Sequence, residues 1–425
     1  MTKMRKSGRL YGNKTARFYG ILLSGLMVAL CPLHVFALGF LIPNQDAAAI
    51  ARGNAFAATA DNPSAIFYNP AGISQLEGQN IEVGILNYLG IDAHHDSPGG
   101  PSADTKFQVI PVPQVYYTFS PTNLPLSFGV GLYAPFGLGV GWPENSGFRS
   151  LAIDSQLQYI TLNPVVAWKI RPGLSLAVGP TINYSQVKFT RGLASSTDEF
   201  EFNGDGFAFG FTAGLLWQPV SQLSFGVSYR SASTMGFSGN STYNYPGVGN
   251  FSASTTANVP FPEIVSSGVS YRPTPKWNIE VDVDWINWST LNTVAFNGTK
   301  NIALLGGQDL VLPFYWHDSL QYKFGVTRYF EGGWFVSAGY FFSSDTTSST
   351  YFNPAVPDTD LHVGSLGFGH NGEHWHWALA GQIIAGPERT IAQDTGNTNP
   401  YTSESAAGKY QLFVPTLTAS VSYHF

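Results

Sequence analysis

The chain has 425 residues, of which 11% are charged and 15% are aromatic, and it contains 46 glycines, 27 prolines and one cysteine. This composition is unlike that of long amphipathic helices. Beyond the first 37 residues, no stretch approaches the ~18 unbroken apolar residues that a membrane-spanning helix requires. The remaining classes are an exported β protein and a membrane β-barrel, because a closed barrel also satisfies every backbone group inside lipid.

The first 37 residues predict a cleaved secretory signal peptide. They contain six basic residues and no acid, followed by the apolar run from Ile21 to Leu30, and they end on the small residue Ala37. Cys31 does not indicate a lipoprotein, because Leu30 stands where a small residue is needed. Cleavage would leave 15 basic and 27 acidic residues, a net charge of −12, and no cysteine. We therefore expect neither a nucleic-acid partner nor thiol chemistry.

Residues 38–78 differ in composition from the rest of the chain. They are rich in alanine and lack an alternating strand pattern, yet they include the large apolar residues Ile50, Phe56 and Tyr68. A disordered leader is usually poorer in such residues. We predict that this segment is a hatch folded inside the lumen of a transmembrane barrel formed by residues 79–425.

From residue 79 onward, apolar and polar residues alternate with a period of two in about fourteen runs, an even number as in bacterial barrels. The runs begin near residues 79, 106, 125, 153, 173, 205, 222, 260, 277, 316, 332, 359, 374 and 413. Between Trp277 and Trp285, aromatic residues bracket an apolar face, as in a lipid-facing band between two interfacial girdles. The last run ends on Phe425, which is typical of outer-membrane barrels.

The links between the runs alternate between short and long. Tight turns at 120–124, 171–173, 219–222, 272–275, 331–333 and 371–373 are separated by longer links at 92–105, 136–152, 191–204, 240–259, 289–315, 346–358 and 387–410. Periplasmic turns and external loops alternate in this way, whereas a soluble sandwich has no reason to sort its loops by parity. The predicted fold class is all-β: a 14-stranded antiparallel transmembrane barrel with an N-terminal hatch inside the lumen.

One place in the predicted wall is irregular. The second strand carries Pro111 and Pro113 two residues apart, which removes two N–H donors that face the same neighbour. If that neighbour is the third strand, it has its own interruptions at Gly129, Gly131 and Pro135. We predict a break or bend in the wall at this lateral-opening region. Ordinary bulges near the barrel rim are the alternative.

Several ionisable residues are expected in the lumen. Three inward-facing carboxylates two residues apart would repel one another unless cations lay nearby. The predicted lumen charge cluster comprises Arg52, Arg230, Glu280, Asp282, Asp284 and Lys323. We expect this cluster to help fix the hatch in the barrel. A hydrated acidic patch is the alternative.

A glycine-rich link carries the large apolar residues Phe136, Leu138 and Trp142. We predict that it is an apolar entry loop through which substrate reaches the lumen. Large apolar groups on a flexible backbone would collect hydrophobic molecules there. Packing of an external helix or loop explains the same residues.

Two histidine pairs are candidate metal ligands. His374 and His376 share one face of a strand, but an interfacial turn explains that segment more simply. His94 and His95 stand in the first long link and are equally ambiguous. No turn motif singles out a nucleophilic serine near a base. We therefore expect no enzyme activity, no metal and no other cofactor.

A series of short motifs runs in order through nearly the whole chain after residue 37. They are Leu38-Gly39-Phe40, Ala51-Arg52-Gly53-Asn54-Ala55, Asn69-Pro70-Ala71, Trp285-Ile286-Asn287-Trp288-Ser289, Trp316-His317-Asp318, Phe324-Gly325-Val326, Gly339-Tyr340, Pro354–Asp360 and Ser365-Leu366-Gly367-Phe368-Gly369. Together they resemble the FadL family of outer-membrane transporters, which includes the toluene-uptake proteins.

This resemblance implies a fourteen-stranded barrel closed by an N-terminal hatch, with the hatch motif Asn69-Pro70-Ala71 near the exit. It also implies a kink in the third strand, the strand with Gly129, Gly131 and Pro135. In the family, that kink opens a lateral gap through which hydrophobic substrate leaves sideways into the membrane.

The expected function is passive uptake of hydrophobic compounds, long-chain fatty acids or aromatic hydrocarbons, across the outer membrane of a Gram-negative cell. A general porin for polar solutes and a structural or adhesive surface barrel are the alternatives. We expect a monomer whose partners are the substrate, outer-membrane lipid and the barrel-assembly machinery that reads Phe425. Lys323, Arg149 and Lys188 are candidates to bind a substrate carboxylate.

Overall fold

The computed structural model describes residues 39–89, 92–98, 102–302 and 305–425. The predicted signal peptide, residues 1–37, and the first residue of the predicted hatch lie outside these ranges. In the described part of the chain, no helix has the length and apolar character needed to span a membrane.

The described residues form one antiparallel sheet of fourteen strands. In chain order these are β1 (Gly78–Leu89 and Asp92–Asp96), β2 (Ala103–Asp104 and Val109–Ser120), β3 (Leu126–Tyr133 and Gly137–Gly141), β4 (Asp154–Arg171), β5 (Leu174–Arg191), β6 (Glu199–Val220), β7 (Leu223–Arg230 and Ser233–Tyr245), β8 (Gly249–Phe261 and Ile264–Thr274), β9 (Trp277–Ile286 and Thr293–Asn297), β10 (Leu310–Pro313 and Ser319–Tyr329), β11 (Trp334–Ser343), β12 (Leu361–Asn371), β13 (Trp375–Ala385 and Arg389–Ile391) and β14 (Gly408–His424). Each strand pairs with the next, and β1 pairs with β14 from Asn80↔His424 to Tyr88↔Thr416. This last pairing closes the barrel and confirms the predicted fourteen strands.

The two faces of the wall have opposite polarity, as period-two alternation predicts. On β9, Val281 and Val283 are exposed on the outside, while Glu280 and Asp282 between them are buried on the inside. Exposed tryptophans stand beside the short turns at one end of the barrel: Trp168, Trp217, Trp277, Trp334 and Trp375. An apolar outer band edged by aromatic residues is the surface that a bilayer requires.

One predicted loop is in fact strand. Residues 240–259 were expected to form a long external link, but β7 and β8 stay paired there from Ser233↔Phe261 to Tyr245↔Gly249. Polar residues occupy both faces in this hairpin, with Asn240 and Thr242 exposed and Ser241 buried. The polarity alternation that marks a strand is therefore lost, although the pairing continues.

The residues before β1 form a compact, buried unit. This N-terminal segment, residues 39–77, contains the short helices α1 (Ala47–Ala51) and α2 (Ala65–Tyr68) and a 3₁₀ turn at Pro70–Gln75. Asp46 starts α1 by accepting a hydrogen bond from the N–H of Ala49. The segment contacts inward-facing residues on strands all around the barrel, including Tyr116 of β2, Gln382 of β13 and Ser420 of β14.

Candidate functional site

Two inward-facing carboxylates of β9 hold the N-terminal segment against the wall. The backbone N–H groups of Phe56 and Ala57 donate to Oδ2 of Asp282 at 2.8 and 2.9 Å. The N–H groups of the next two residues donate to Oε1 of Glu280 at 2.7 and 3.2 Å. Buried N–H groups require an acceptor, and here the barrel supplies it for four consecutive residues of the segment.

A row of glycines beside these carboxylates lets the segment approach the wall closely. The row consists of Gly226, Gly268, Gly325 and Gly339, on β7, β8, β10 and β11, in register with Asp282 and Glu280. A Cβ on Gly226 would lie 1.9 Å from the carbonyl oxygen of Ala57, and a Cβ on Gly339 would lie 2.0 Å from the nitrogen of Gly53. Because these contacts are with backbone atoms, any larger side chain would push the segment away.

Asn69, in the predicted hatch motif, links three parts of the protein. Its Nδ2 donates to the carbonyl of Ala57 at 2.7 Å and to the carbonyl of Leu215 on β6 at 3.0 Å. Its Oδ1 accepts from the N–H of Ala71 at 3.2 Å, which caps the 3₁₀ turn. Pro70 at the first position of that turn costs no hydrogen bond, because its N–H would have had no partner there.

Four residues of the predicted lumen charge cluster surround a small cavity of about 40 Å³: Arg230, Asp282, Asp284 and Lys323. Lys323 forms an ion pair with Asp284. Arg230 donates instead to the hydroxyl of Tyr133 at 3.0 Å. The cations and carboxylates therefore lie together, with Asp282 left to hold the N-terminal segment.

Arg52 lies apart from that group. Its guanidinium sits 5.2 Å from the ring centre of Phe56. It forms no ion pair with any carboxylate in the described ranges. Arg52 faces a polar cavity of about 640 Å³ at the short-turn end of the barrel.

β2 and β3 pair along only part of their length. Their partners run from Val115↔Leu132 to Phe119↔Phe128. Residues 109–114 of β2 have partners on β1, but none on β3 among the residues that the structure describes. The backbone ladder of the wall is therefore open along about half of β2.

Three of the five residues in the predicted lateral-opening region border this break. Pro111 and Pro113 lie in the unpaired part of β2, and Pro135 lies between the two parts of β3. A proline is tolerated where one side of a strand is unpaired.

Gly129 and Gly131 differ from the expectation, because they lie outside the break. Both are paired with β2 and with β4. A Cβ at either position would lie 2.9 Å from the side chain of Ile66. These two glycines make room for the N-terminal segment rather than weakening the wall.

The start of the N-terminal segment occupies the break. The N–H of Gly137 donates to the carbonyl of Phe40 at 2.9 Å, and the N–H of Ile42 donates to the carbonyl of Pro135 at 2.8 Å. Backbone groups of β3 that have no partner on β2 are thus satisfied by residues 40–42.

A cavity of about 470 Å³ lies at the same break. Its walls come from the unpaired parts of β2 and β3, from residues 39–42 and from Val356 and Pro357. Among the described residues, no aspartate, glutamate, lysine or arginine lines it; its polar groups belong to Tyr88, Gln108, Gln156, Gln158 and Tyr159. Because a charge buried without a partner is costly, this cavity suits an uncharged apolar molecule.

Phe136, Leu138 and Trp142 do not form the exposed loop that the sequence predicted. Residues 137–141 are strand and pair with β4. Phe136 and Trp142 are 3% and 0% exposed, and the indole N–H of Trp142 donates to the carbonyl of Pro354 at 2.8 Å. Leu138 lines the 470 Å³ cavity. Phe136 and Leu138 line the cavity at the break, and Trp142 is buried, so the three residues do not form an exposed surface that collects substrate.

The glycines of this strand explain the difference. Gly137, Gly139 and Gly141 recur every second residue, so they share one face. A Cβ on Gly139 would lie 2.5 Å from Cδ1 of Ile110 across the break. The glycines therefore allow close approach to β2 and do not form a flexible loop.

The candidate cations for a substrate carboxylate are already paired. Lys323 contacts Asp284, and Lys188 lies 2.9 Å from Glu201. Arg149 lies 3.0 Å from a carboxylate oxygen of Glu144 and also hydrogen-bonds to the backbone at residue 198. None of the three has its charge free for a ligand.

The two histidines of the candidate pair His374 and His376 have different surroundings. Nδ1 of His374 lies 3.0 Å from the carbonyl of His424, and His376 lines the polar 640 Å³ cavity. In the other candidate pair, His94 of β1 contacts Asp104 of β2. Across the described ranges, no three residues of the metal-ligating types come together as a site.

A closed antiparallel barrel with an apolar outer face, a tightly held internal segment and an apolar cavity at a break in its wall defines an outer-membrane transport protein. Residues 28–425 match the family described as outer membrane protein transport protein (OMPP1/FadL/TodX). The chain belongs to this family, which confirms the resemblance inferred from its motifs.

Two similar proteins are a long-chain fatty acid transport protein and an outer-membrane protein that is named by its mass. The chain is 21% identical over 389 residues to the long-chain fatty acid transport protein of Escherichia coli (strain K12), covering 80% of this chain and 86% of that protein. It is 22% identical over 434 residues to the 47 kDa outer membrane protein of Pasteurella multocida, covering 94% and 99%.

Solved structures match the fold. A FadL homologue of Pseudomonas aeruginosa matches with a TM-score of 0.79 at 17% identity, over 91% of this chain and 99% of that chain. The Pseudomonas putida toluene transporter TodX matches with a TM-score of 0.71 at 16% identity, over 92% and 100%.

Proposed function

We propose that this protein takes up hydrophobic compounds passively across the outer membrane and releases them sideways through the break between β2 and β3. The similar proteins named above transport long-chain fatty acids and toluene, so long-chain fatty acids and aromatic hydrocarbons are the substrate classes proposed here. Cleavage of residues 1–37 as a signal peptide precedes insertion into the membrane.

One observation carries this proposal. The pairing between β2 and β3 is interrupted where an uncharged cavity of about 470 Å³ adjoins the wall, and the apolar residues Ile110, Pro113 and Leu138 line that cavity. The apolar chain or ring of a hydrophobic molecule gains free energy when it leaves water for such a lining and then for the bilayer. A polar solute would lose its hydration along the same route.

Residues 38–78 act as a hatch that closes the lumen to polar solutes. Hydrogen bonds from Phe56 and Ala57 to Asp282, and from Asn69 to β6, support this role. The boundaries proposed from the sequence, 38–78 for the hatch and 79–425 for the barrel, differ by one residue from the start of β1 at Gly78. A general porin would need an open, water-filled lumen instead.

The proposed partners are the substrate and the lipid around the apolar outer face. Phe425, exposed at the end of the chain, is the residue that we expect the barrel-assembly machinery to read. A monomer suffices, because the barrel closes within one chain. We propose no catalytic activity and no cofactor.

The direct test is uptake of labelled oleate and labelled toluene by cells with and without the protein. We expect faster uptake of at least one of these compounds when the protein is present, and no large steady conductance when the purified protein is placed in planar bilayers. Equal uptake in both cell lines would contradict the proposal, and a large open-channel current would favour the porin.

A further inference from the structure

The polar cavity of about 640 Å³ at the short-turn end of the barrel is lined by both the N-terminal segment and the wall. Its lining residues with charged side chains are Arg52, Asp61, Glu82 and Arg272. Exposed residues of the turns at 221–222 and 273–275 also line it. The cavity therefore opens toward the periplasm, which the short turns of outer-membrane barrels face. Its volume is typical of sites for small ligands. We call it the periplasmic vestibule.

Arg52 lines the vestibule with hydrogen-bond donors that have no partner. The residue is only 4% exposed, and its Nε and Nη1 are buried without a hydrogen-bond partner among the described residues. The ring of Phe56 lies beside the guanidinium, and Asp61 and Glu280 attract its charge through space. These interactions make the charge tolerable but leave both N–H donors unused. Because buried polar groups are nearly always paired, Arg52 departs from the rule where a ligand has room.

Arg272 of β8 supplies a second cation to the same vestibule. Its Nη2 lies 3.0 Å from Oδ2 of Asp61. Its Nε is buried and has no hydrogen-bond partner within the described ranges. Asp61 therefore pairs with one arginine only, and both guanidiniums keep unused N–H donors. Guanidinium donors suit the oxygens of carboxylates and phosphates.

Glu82 of β1 restricts which oxyanion can enter. Its side chain is buried and lines the same vestibule. A carboxylate repels an oxyanion that has no proton, but it accepts a hydrogen bond from one that carries a hydroxyl. Hydrogen phosphate has such a hydroxyl, and a phosphate monoester of a small polyol has hydroxyls on its alcohol. Sulfate has none.

We propose that the periplasmic vestibule binds a phosphate compound that carries a hydroxyl, either inorganic phosphate or the monoester of a small polyol. Arg52 and Arg272 donate to the phosphate oxygens, and Glu82 accepts from the hydroxyl. A ligand held in this way joins the N-terminal segment to β8, so its binding stabilises the docked segment. This site goes beyond the proposed uptake, because it takes a charged ligand from the periplasmic end.

The test measures the binding of inorganic phosphate, glycerol phosphate and sulfate to the purified, folded protein in an uncharged detergent. Titration calorimetry gives dissociation constants for the wild type, R52M, R52K, R272Q and E82Q. The matched control is K276Q, which removes an exposed cation at the same end of the barrel that is paired with Glu331 and does not line the vestibule. Folding is checked by the mobility shift that barrels show on gels before and after heating.

We expect R52M to weaken phosphate binding by roughly tenfold or more, the loss expected for hydrogen bonds between charged groups. R272Q should weaken it as well, R52K should retain part of the affinity, and K276Q should match the wild type. Sulfate should bind the wild type at least about tenfold more weakly than phosphate, and E82Q should narrow that difference. Phosphate should slow amide exchange at residues 52–60 in the wild type but not in R52M.

Three results would overturn this proposal. The first is a wild type that binds neither phosphate compound. The second is unchanged phosphate affinity in R272Q and in folded R52M, which would place the ligand elsewhere on the protein; if R52M does not fold, unchanged affinity in R272Q is decisive. The third is sulfate binding as tight as phosphate binding, which would remove the role of the hydroxyl and of Glu82.

Discussion

Replacing Asp282 with asparagine should loosen the N-terminal segment without removing it from the barrel. The change keeps the size of the side chain but removes the negative charge of the carboxylate. Oδ2 of that carboxylate accepts hydrogen bonds from the N–H groups of Phe56 at 2.8 Å and Ala57 at 2.9 Å. Hydrogen bonds to charged groups contribute ~1.5–3 kcal/mol each. An asparagine oxygen remains a weaker acceptor, and repulsion from Glu280 and Asp284 is relieved, so we expect a net loss of ~1–3 kcal/mol.

That loss corresponds to a roughly 5- to 150-fold larger population in which the segment is detached from β9. Hydrogen exchange of the amides at residues 52–60 measures this population directly, because those amides exchange only after detachment. D205N is the matched control, since Asp205 is an exposed acid on β6 with no contact to the segment. Exchange in D282N that is no faster than in the wild type would refute the role of Asp282.

Three further predictions concern the segment and the loops. N69A should speed amide exchange at residues 70–75, because it removes a cap of ~1–2 kcal/mol; unchanged exchange would contradict this. G339A should destabilise the docked segment by ~1–3 kcal/mol, because the added Cβ would overlap with the backbone of the segment. G364A is the control, since a Cβ at Gly364 meets nothing within 4 Å. Equal effects of the two variants on thermal unfolding would count against the glycine row. Burial and the neighbouring Asp358 raise the pKa of Asp345 to about 8, against the opposing effect of Arg389. Asp345 therefore keeps its proton in the folded protein, whereas in the unfolded chain it releases that proton above pH ~4. The stability of the loop formed by residues 344–360 should consequently fall as the pH rises from about 4 to about 8. Proteolysis of that loop should become faster over this range in the wild type and less so in D345N.

The strands could be predicted because the bilayer imposes a simple pattern. Lipid outside and a polar lumen inside force alternation along each strand, as in Val281, Asp282 and Val283. The hairpin at 240–259 escaped prediction because polar residues stand on both of its faces. Pro111 and Pro113 indicated the break because a paired interior strand does not tolerate two such residues.

The site was harder to predict, because it depends on contacts between distant segments. The sequence predicts Trp142 in an exposed loop, but Trp142 is buried, and its indole N–H donates to the carbonyl of Pro354, over 200 residues away. The spacing of Gly137, Gly139 and Gly141 was the available signal for a strand.

A disulfide across the break between β2 and β3 tests most directly whether substrate leaves there. The double variant I110C/G139C is suited to this test. A Cβ placed on Gly139 lies 3.7 Å from Cγ1 of Ile110, and a cysteine sulfur at residue 110 would take the position of that Cγ1. The control V115C/L132C joins the same two strands where they are already paired. Cys31, the native cysteine, lies within the expected signal peptide.

Uptake of labelled oleate and toluene is measured in cells carrying each double variant, before and after reduction with a thiol. We predict that oxidised I110C/G139C abolishes uptake, that reduction restores it, and that V115C/L132C transports at the wild-type rate in both states. Undiminished uptake by the fully oxidised I110C/G139C protein would contradict lateral release.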